Sequence, residues 1–161
     1  MWPDEARCAA AFTFDFDAES VWIADDPENA KRPGVLSQGT YGAKVAVPLI
    51  LDLLERHDVR ATFFVVGQVA EQYPDRVEAI VRAGHELAVH GYTHTSPAKL
   101  SRAEEELLGI RELRGSCILT MHPQVVGRPS RLAFLDAFLG FVTGLERTWI
   151  ATCDEIAGRV P

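Results

Sequence analysis

Two carboxylates placed two residues apart, Asp15 and Asp17, and three imidazoles, His90, His94 and His122, are the side chains of this sequence whose types could do chemistry together. On an extended strand Asp15 and Asp17 share a face, and close carboxylates repel unless a proton or a cation sits between them. Alone, the pair reads as readily as solvated acids or a helix cap. His90 and His94 have the four-residue spacing that puts two imidazoles on one side of a helix, yet Gly91 and the β-branched Thr93 disfavour a helix there. A turn can still bring both rings to one ion, and alone they too read as ordinary surface histidines. Together, two neutral imidazoles and one carboxylate make a facial ligand set that leaves positions open for water and substrate.

The elements that position these groups read as short apolar runs alternating with amphipathic helices, the pattern of a parallel sheet with crossover helices. The first run, 9–16, is too continuously apolar for a half-exposed strand and delivers the acidic cluster Asp15-Phe16-Asp17-Ala18-Glu19 to its carboxyl end. A Pro- and Gly-containing stretch, 25–42, is longer than an ordinary connection and is expected to be a loop, a candidate lid or substrate loop. A helix follows over 46–57, with Ala46, Leu49, Ile50, Leu53 and Leu54 on one face and Pro48 in its first turn. A second strand is expected at 60–66, a helical region broken at Pro74 over 68–83, and a third strand at 86–89 running into His90. Ser101 and Glu104 form a capping box opening a helix to about residue 114. A fourth strand at 117–121 ends at His122, a helix spans 130–142, and a last strand at 148–152 precedes a short helix at Asp154. All five reactive residues thus fall where strands end, the place where α/β architectures collect their chemistry. Of the other histidines, His57 complements a helix carboxyl end, and His85 begins the third strand at the opposite end from the site.

At 161 residues, with 47% hydrophobic and 24% charged content, the chain is expected to form one domain over 1–161. A net charge of -7 and a pI near 5.2 argue against nucleic acid and anionic membrane as partners. No apolar stretch is long enough to span a bilayer, and the amino terminus lacks the pattern of a signal peptide, so a cytoplasmic location is expected. Cys8, Cys117 and Cys153 are widely spaced and read as buried free thiols.

Phe12-Thr13-Phe14-Asp15-Phe16-Asp17, the run from Gly84-His85-Glu86 to His90-Gly91-Tyr92-Thr93-His94, and Leu119-Thr120-Met121-His122-Pro123 resemble motifs of the polysaccharide deacetylase family, also called NodB-homology or carbohydrate esterase family 4. Thr62-Phe63-Phe64-Val65-Val66-Gly67 fits as well. Tyr41-Gly42 and Gly127-Arg128-Pro129-Ser130-Arg131 are similar to the cytoplasmic branch that holds peptidoglycan deacetylase-like and allantoinase-like proteins. The resemblance implies an α/β fold, a partial or distorted (β/α) barrel of parallel strands with crossover helices. It implies Asp17, His90 and His94 as ligands of a divalent metal, zinc first among them, Asp15 as general base and His122 as general acid. Members of the family are usually longer, and this chain passes from its third helix to the late histidine strand near residues 115–118, without the middle motifs that shape the pocket.

The implied function is metal-dependent hydrolysis of a non-peptide carbon–nitrogen bond, N-deacetylation of an N-acetylated sugar or polysaccharide. Hydrolysis of a cyclic amide, as in the allantoinase-like branch, is the alternative, and a non-catalytic metal-binding remnant is a second. The same ligand set also serves non-haem iron oxygenases, but their common all-β scaffold differs from this strand–helix pattern. The expected partner is a small-molecule or carbohydrate substrate. A barrel lacking interior strands must either close into a smaller open sheet or shield its edges in a homo-oligomer.

Overall fold

The computed structural model of the chain describes residues 8–94, 116–144 and 148–159, together with Pro3. Strand β1 (Cys8–Phe16) leads through helix α1 (Ser20–Asp25), a 3₁₀ turn (Pro27–Lys31) and α2 (Pro33–Tyr41) into a π-helical segment (Gly42–Ala46) and α3 (Val47–Arg56). Then come β2 (Thr62–Val65), α4 (Gly67–Gln72), α5 (Pro74–Arg82) and β3 (Glu86–Val89). The later elements are β4 (Ser116–Met121), α6 (Pro123–Val126), α7 (Pro129–Thr143), β5 (Thr148–Ile150) and α8 (Cys153–Ala157).

Every strand pairing is parallel, in the order β3-β2-β1-β4, with β5 also on β1. Strand β2 pairs with residues 13–16 of β1 and β5 with residues 8–10, while β4 spans 9–14. Because β4 overlaps both partners, β2 and β5 must share the opposite edge of β1. The result is the expected α/β sheet with crossover helices, a partial barrel.

Alternation along β1 separates two layers. Phe12, Phe14 and Phe16 enter the large core with Ile50, Leu53, Leu54, Phe63, Leu135 and Leu139, beneath the helices. Ala9 and Ala11 face the other way and pack with Ala151 and Ile156, so α8 plugs the lower end of the sheet. Small side chains on that face leave room for the plug, while the aromatic face supplies most of the burial. A buried Phe is worth roughly 1.5–3 kcal/mol relative to exposure.

The stretch 25–42, expected as a loop, is helical. Pro27 and Pro33 each occupy the first turn of a helix, where the missing N–H is no loss and φ is already set. Asp26 caps the 3₁₀ turn by accepting from the Glu28 N–H at 3.0 Å. Proline here starts helices; reading it as a loop marker produced the error. The helix expected to begin at Ala46 in fact continues the one before it. Pro48 has no N–H to give to the carbonyl four residues back, and the chain accommodates it with a π segment whose Val47 N–H bonds Gly42 O five residues away.

In α3 the buried residues are Val47, Ile50, Leu53 and Leu54, whereas Leu49, placed by the sequence pattern on the same face, is exposed. Strand β5 stops at Ile150, and the buried Thr152 caps α8 with Glu155 in a reciprocal capping box. The capping box expected at Ser101 and Glu104 lies outside the described residues, as does its helix. Of the cysteines, Cys153 is a half-buried free thiol. No helix among the described residues is long and apolar enough to cross a membrane.

Candidate metal centre

Asp17 follows the last residue of β1 and is fully buried. Two hydrogen bonds hold its carbonyl. The Ser20 N–H and Oγ both donate to Asp17 O, at 2.9 and 2.7 Å, and Ala18 takes a left-handed φ of 46° so the chain can turn directly into α1. Gly39 of α2 presses on that turn: a Cβ there would lie 2.4 Å from the Ala18 carbonyl oxygen.

The histidine turn is pinned by the start of α4. His90 N donates to Val65 O at 3.0 Å, in register with the β2–β3 ladder, and the N–H groups of Gly67 and Gln68 donate to Gly91 O and Tyr92 O, each at 3.0 Å. These are first-turn N–H groups of a helix, which have no partner within it. Gly91 (φ 70°) and His94 (φ 56°) supply the left-handed residues that fold the turn back. A non-glycine residue in that region costs on the order of 1–3 kcal/mol, a strain found where side-chain placement matters. His90 and His94 end with their rings 5.0 Å apart, edge to face.

The two segments meet at Asp17. His90 Nε2 and His94 Nε2 are each 3.6 Å from Asp17 Oδ1, and His122 Nε2 is 3.5 Å from Oδ2. One ligand atom from each of Asp17, His90 and His94 falls within 4.8 Å of the others. Asp15 is placed beside them, its Oδ2 3.8 Å from His122 Nε2. Below this pair a Thr13–Thr120 hydroxyl bond of 2.9 Å locks β1 to β4, which sets Asp15 against His122. The structure therefore brings all five residues together.

Both Asp17 carboxylate oxygens are buried without a hydrogen-bond donor among the described residues. Burial is the largest influence on its acidity and holds the carboxyl above its usual range; His94, His122 and His90 pull the other way and Asp15 adds to the rise. A buried, unpaired carboxylate is costly. One carboxylate oxygen and two imidazole nitrogens converging on a common point are the donor set of a divalent cation, so the residues fit a metal.

Residues 38–110 match the family model described as polysaccharide deacetylase, a stretch that includes His90 and His94 and excludes Asp15, Asp17 and His122. Over 96 residues the chain is 31% identical to a peptidoglycan deacetylase of Helicobacter pylori, covering 60% of this chain and 32% of that protein. A Mycobacterium smegmatis protein assigned as a polysaccharide deacetylase superposes with TM-score 0.89 at 25% identity, over 99% of this chain and 92% of that one. The chain is similar to polysaccharide deacetylases in sequence over residues 38–110 and in fold along almost its whole length. An allantoinase shares the fold, with TM-score 0.77 at 18% identity over 98% of this chain and 91% of its own. The chain spans less than half the length of the curated relatives it matches, from 21% to 39% of the first four.

Sequence reasoning missed the groups behind the candidate metal centre. Glu19 is buried, and its Oε1 accepts from Thr40 Oγ1 at 2.5 Å and Tyr73 Oη at 2.7 Å. Burial, reinforced by Glu19, pushes the Tyr73 hydroxyl up to about 12, which keeps it a donor across the working pH range. The signal available was Glu19 in the acidic cluster, two residues beyond Asp17. Its partners lie 21 and 54 residues away in sequence, and no local pattern links them.

His85 and His57 lie elsewhere. The His85 ring packs tilted against Phe63 at 5.5 Å, and its Nδ1 accepts from the Ala61 N–H at 3.3 Å; burial, then Arg60, depresses its basicity. His57 Nε2 lies 2.7 Å from Asp136 Oδ1 and joins α3 to α7.

Proposed function

We propose that the chain is a metal-dependent hydrolase of a non-peptide carbon–nitrogen bond, acting on an N-acetylated sugar or polysaccharide. The observation that carries this reading is the Asp17 carboxylate, buried with neither oxygen hydrogen-bonded and facing three imidazoles. Asp17, His90 and His94 would hold the cation. Zinc leads because two imidazoles and a carboxylate suit it and leave a position open.

When bound, such a cation supplies Lewis acidity toward an acyl oxygen and a more acidic water. Asp15, with about 15% of its side chain exposed, sits where it can take a proton from an attacking water. His122 is about 42% exposed, which lets it meet substrate and protonate the departing nitrogen. That proton is needed because an amine anion is a poor leaving group. Contact between His122 and both carboxylates would fix its orientation.

The named activities of relatives support the sugar substrate, since one is a peptidoglycan deacetylase. Opening of a cyclic amide is the alternative that the same donors could serve. A cytoplasmic location and a homo-oligomeric state remain part of the proposal.

Metal analysis paired with an assay panel tests it. Purified protein should carry about one equivalent of divalent metal and release acetate from N-acetylated oligosaccharides. The His90→Ala/His94→Ala double variant should lose the metal, and Asp15→Asn should keep it while losing most turnover. A full equivalent retained by the double variant removes these ligands. Activity confined to cyclic ureides moves the substrate, and metal binding without turnover on either class leaves a binding remnant.

A further inference from the structure

The two halves of the metal centre come from segments far apart in sequence, and a buried polar cluster joins them from behind. Glu19 lies in the turn that carries Asp17, and its backbone carbonyl accepts from Ile23 N at 3.3 Å as α1 begins. Its carboxylate reaches Thr40 at the end of α2, the helix whose Gly39 presses on the Ala18 peptide. It also reaches Tyr73, which closes α4 through a bond from its N–H to Val69 O at 2.9 Å. The other end of α4 donates the Gly67 and Gln68 N–H groups to the histidine turn. The Tyr73 ring further leans on Phe16, the residue before Asp17, at 6.3 Å. Through the backbone of the Asp17 turn, the Glu19–Tyr73 bond and α4, a path therefore runs from Asp17 to the turn that carries His90 and His94.

We propose that Glu19 is a positioning residue for the metal centre: by accepting the Thr40 and Tyr73 hydroxyls, its buried carboxylate holds Asp17 and the His90–His94 turn at the separation one ion requires. This rests on the reading of Asp17, His90 and His94 as ligands. Glu19 touches neither substrate nor cation and acts through the backbone on either side. The hydroxyl bonds need an acceptor oxygen rather than a charge, which sets the order of the variants. Groups that orient ligands from behind typically contribute about 10–100-fold in metal affinity.

The test strips the full chain with a chelator and titrates zinc against a chromophoric competitor, with cobalt absorption reporting coordination and the metal-free melt reporting stability. Glu19→Ala and Tyr73→Phe should each weaken zinc binding about tenfold or more and alter the cobalt spectrum. Glu19→Gln, whose amide oxygen still accepts both hydroxyls, should stay within about threefold of the parent. The Glu19→Ala/Tyr73→Phe double variant should bind no more weakly than Glu19→Ala alone, because both break one link.

Tyr73→Phe removes a single oxygen and keeps the test open should Glu19→Ala fail to fold. A lowered melt with parental affinity in the folded variants would mean that Glu19 supports the fold alone, and the proposal falls while the metal reading stands. Additive losses in the double variant also overturn it. A parent chain that binds no zinc or cobalt sinks both.

Discussion

Asp17 concentrates the electrostatic cost of the site. Burial is the main reason its carboxyl sits above the usual range, so the folded chain binds that proton more tightly than the unfolded chain does. The sign follows: without a cation, this group's contribution to stability falls as pH rises from the ordinary carboxylate range through the raised value. A bound cation would offset the loss. Comparing melts of metal-free parent and Asp17→Asn across pH 4 to 7.5 should show the parent falling behind the variant as pH rises. Zinc should raise the parent's melt at the upper end and leave that of Asp17→Asn unmoved. A constant gap between the two proteins across the range would contradict this account. The five residues that the structure brings together stood out in the sequence because of their types and strand-end positions. The groups behind them were not, since Glu19 acts through a tyrosine 54 residues on, and only folding makes them neighbours.

At the scale of elements, the site is held by helices that press on turns. Gly39 has no room for a side chain, with the Ala18 carbonyl oxygen and carbon at 2.4 and 2.5 Å from any added Cβ. The obstacle is backbone, which cannot swing aside. Gly39→Ala should therefore cost about 1–3 kcal/mol in a denaturant titration and weaken metal binding by displacing the Asp17 turn. Parental affinity in the folded variant would show that α2 does not set the turn. A different device secures the far end of the sheet, where Thr152 and Glu155 cap α8 reciprocally. Thr152→Ala should lower stability by about 1 kcal/mol, leaving metal affinity at the parental value, because α8 plugs the end of the sheet opposite the site. Strands and their order of appearance were readable from apolar runs, and β3 falls at the expected residues. Helix α2 was not, because Pro33, Gly34 and Gly39 mimic a loop until the packing of Gly39 on Ala18 is seen.

At the scale of the whole molecule, the sheet formed by the described residues is open. Strands β3 and β4 stand at the two ends of the hydrogen-bonded order, and apolar side chains are exposed along them, Leu87 at 39%, Val89 at 85% and Ile118 at 42%. Edges without a partner strand among the described residues, carrying apolar groups, favour association. Sedimentation of the purified chain at rising concentration should show a reversible increase in mass, and Val89→Lys should reduce it. A monomer at all concentrations would place the cover of those edges within one chain. The partial barrel was legible as a strand–helix alternation together with a family resemblance. Which edges it leaves open depends on pairing partners, and pairing is not written in local sequence.

Strand β1 has a neighbour along both edges, since β2 and β5 divide one side between them and β4 runs along the other. Its peptide groups are therefore the best shielded from solvent deuterium, and the amides of residues 10–16 should be the slowest in the chain to exchange, opening only with the whole fold. The acidic pair at its end is thus mounted on the segment expected to open last, whereas the histidine turn is fastened by a few bonds to α4.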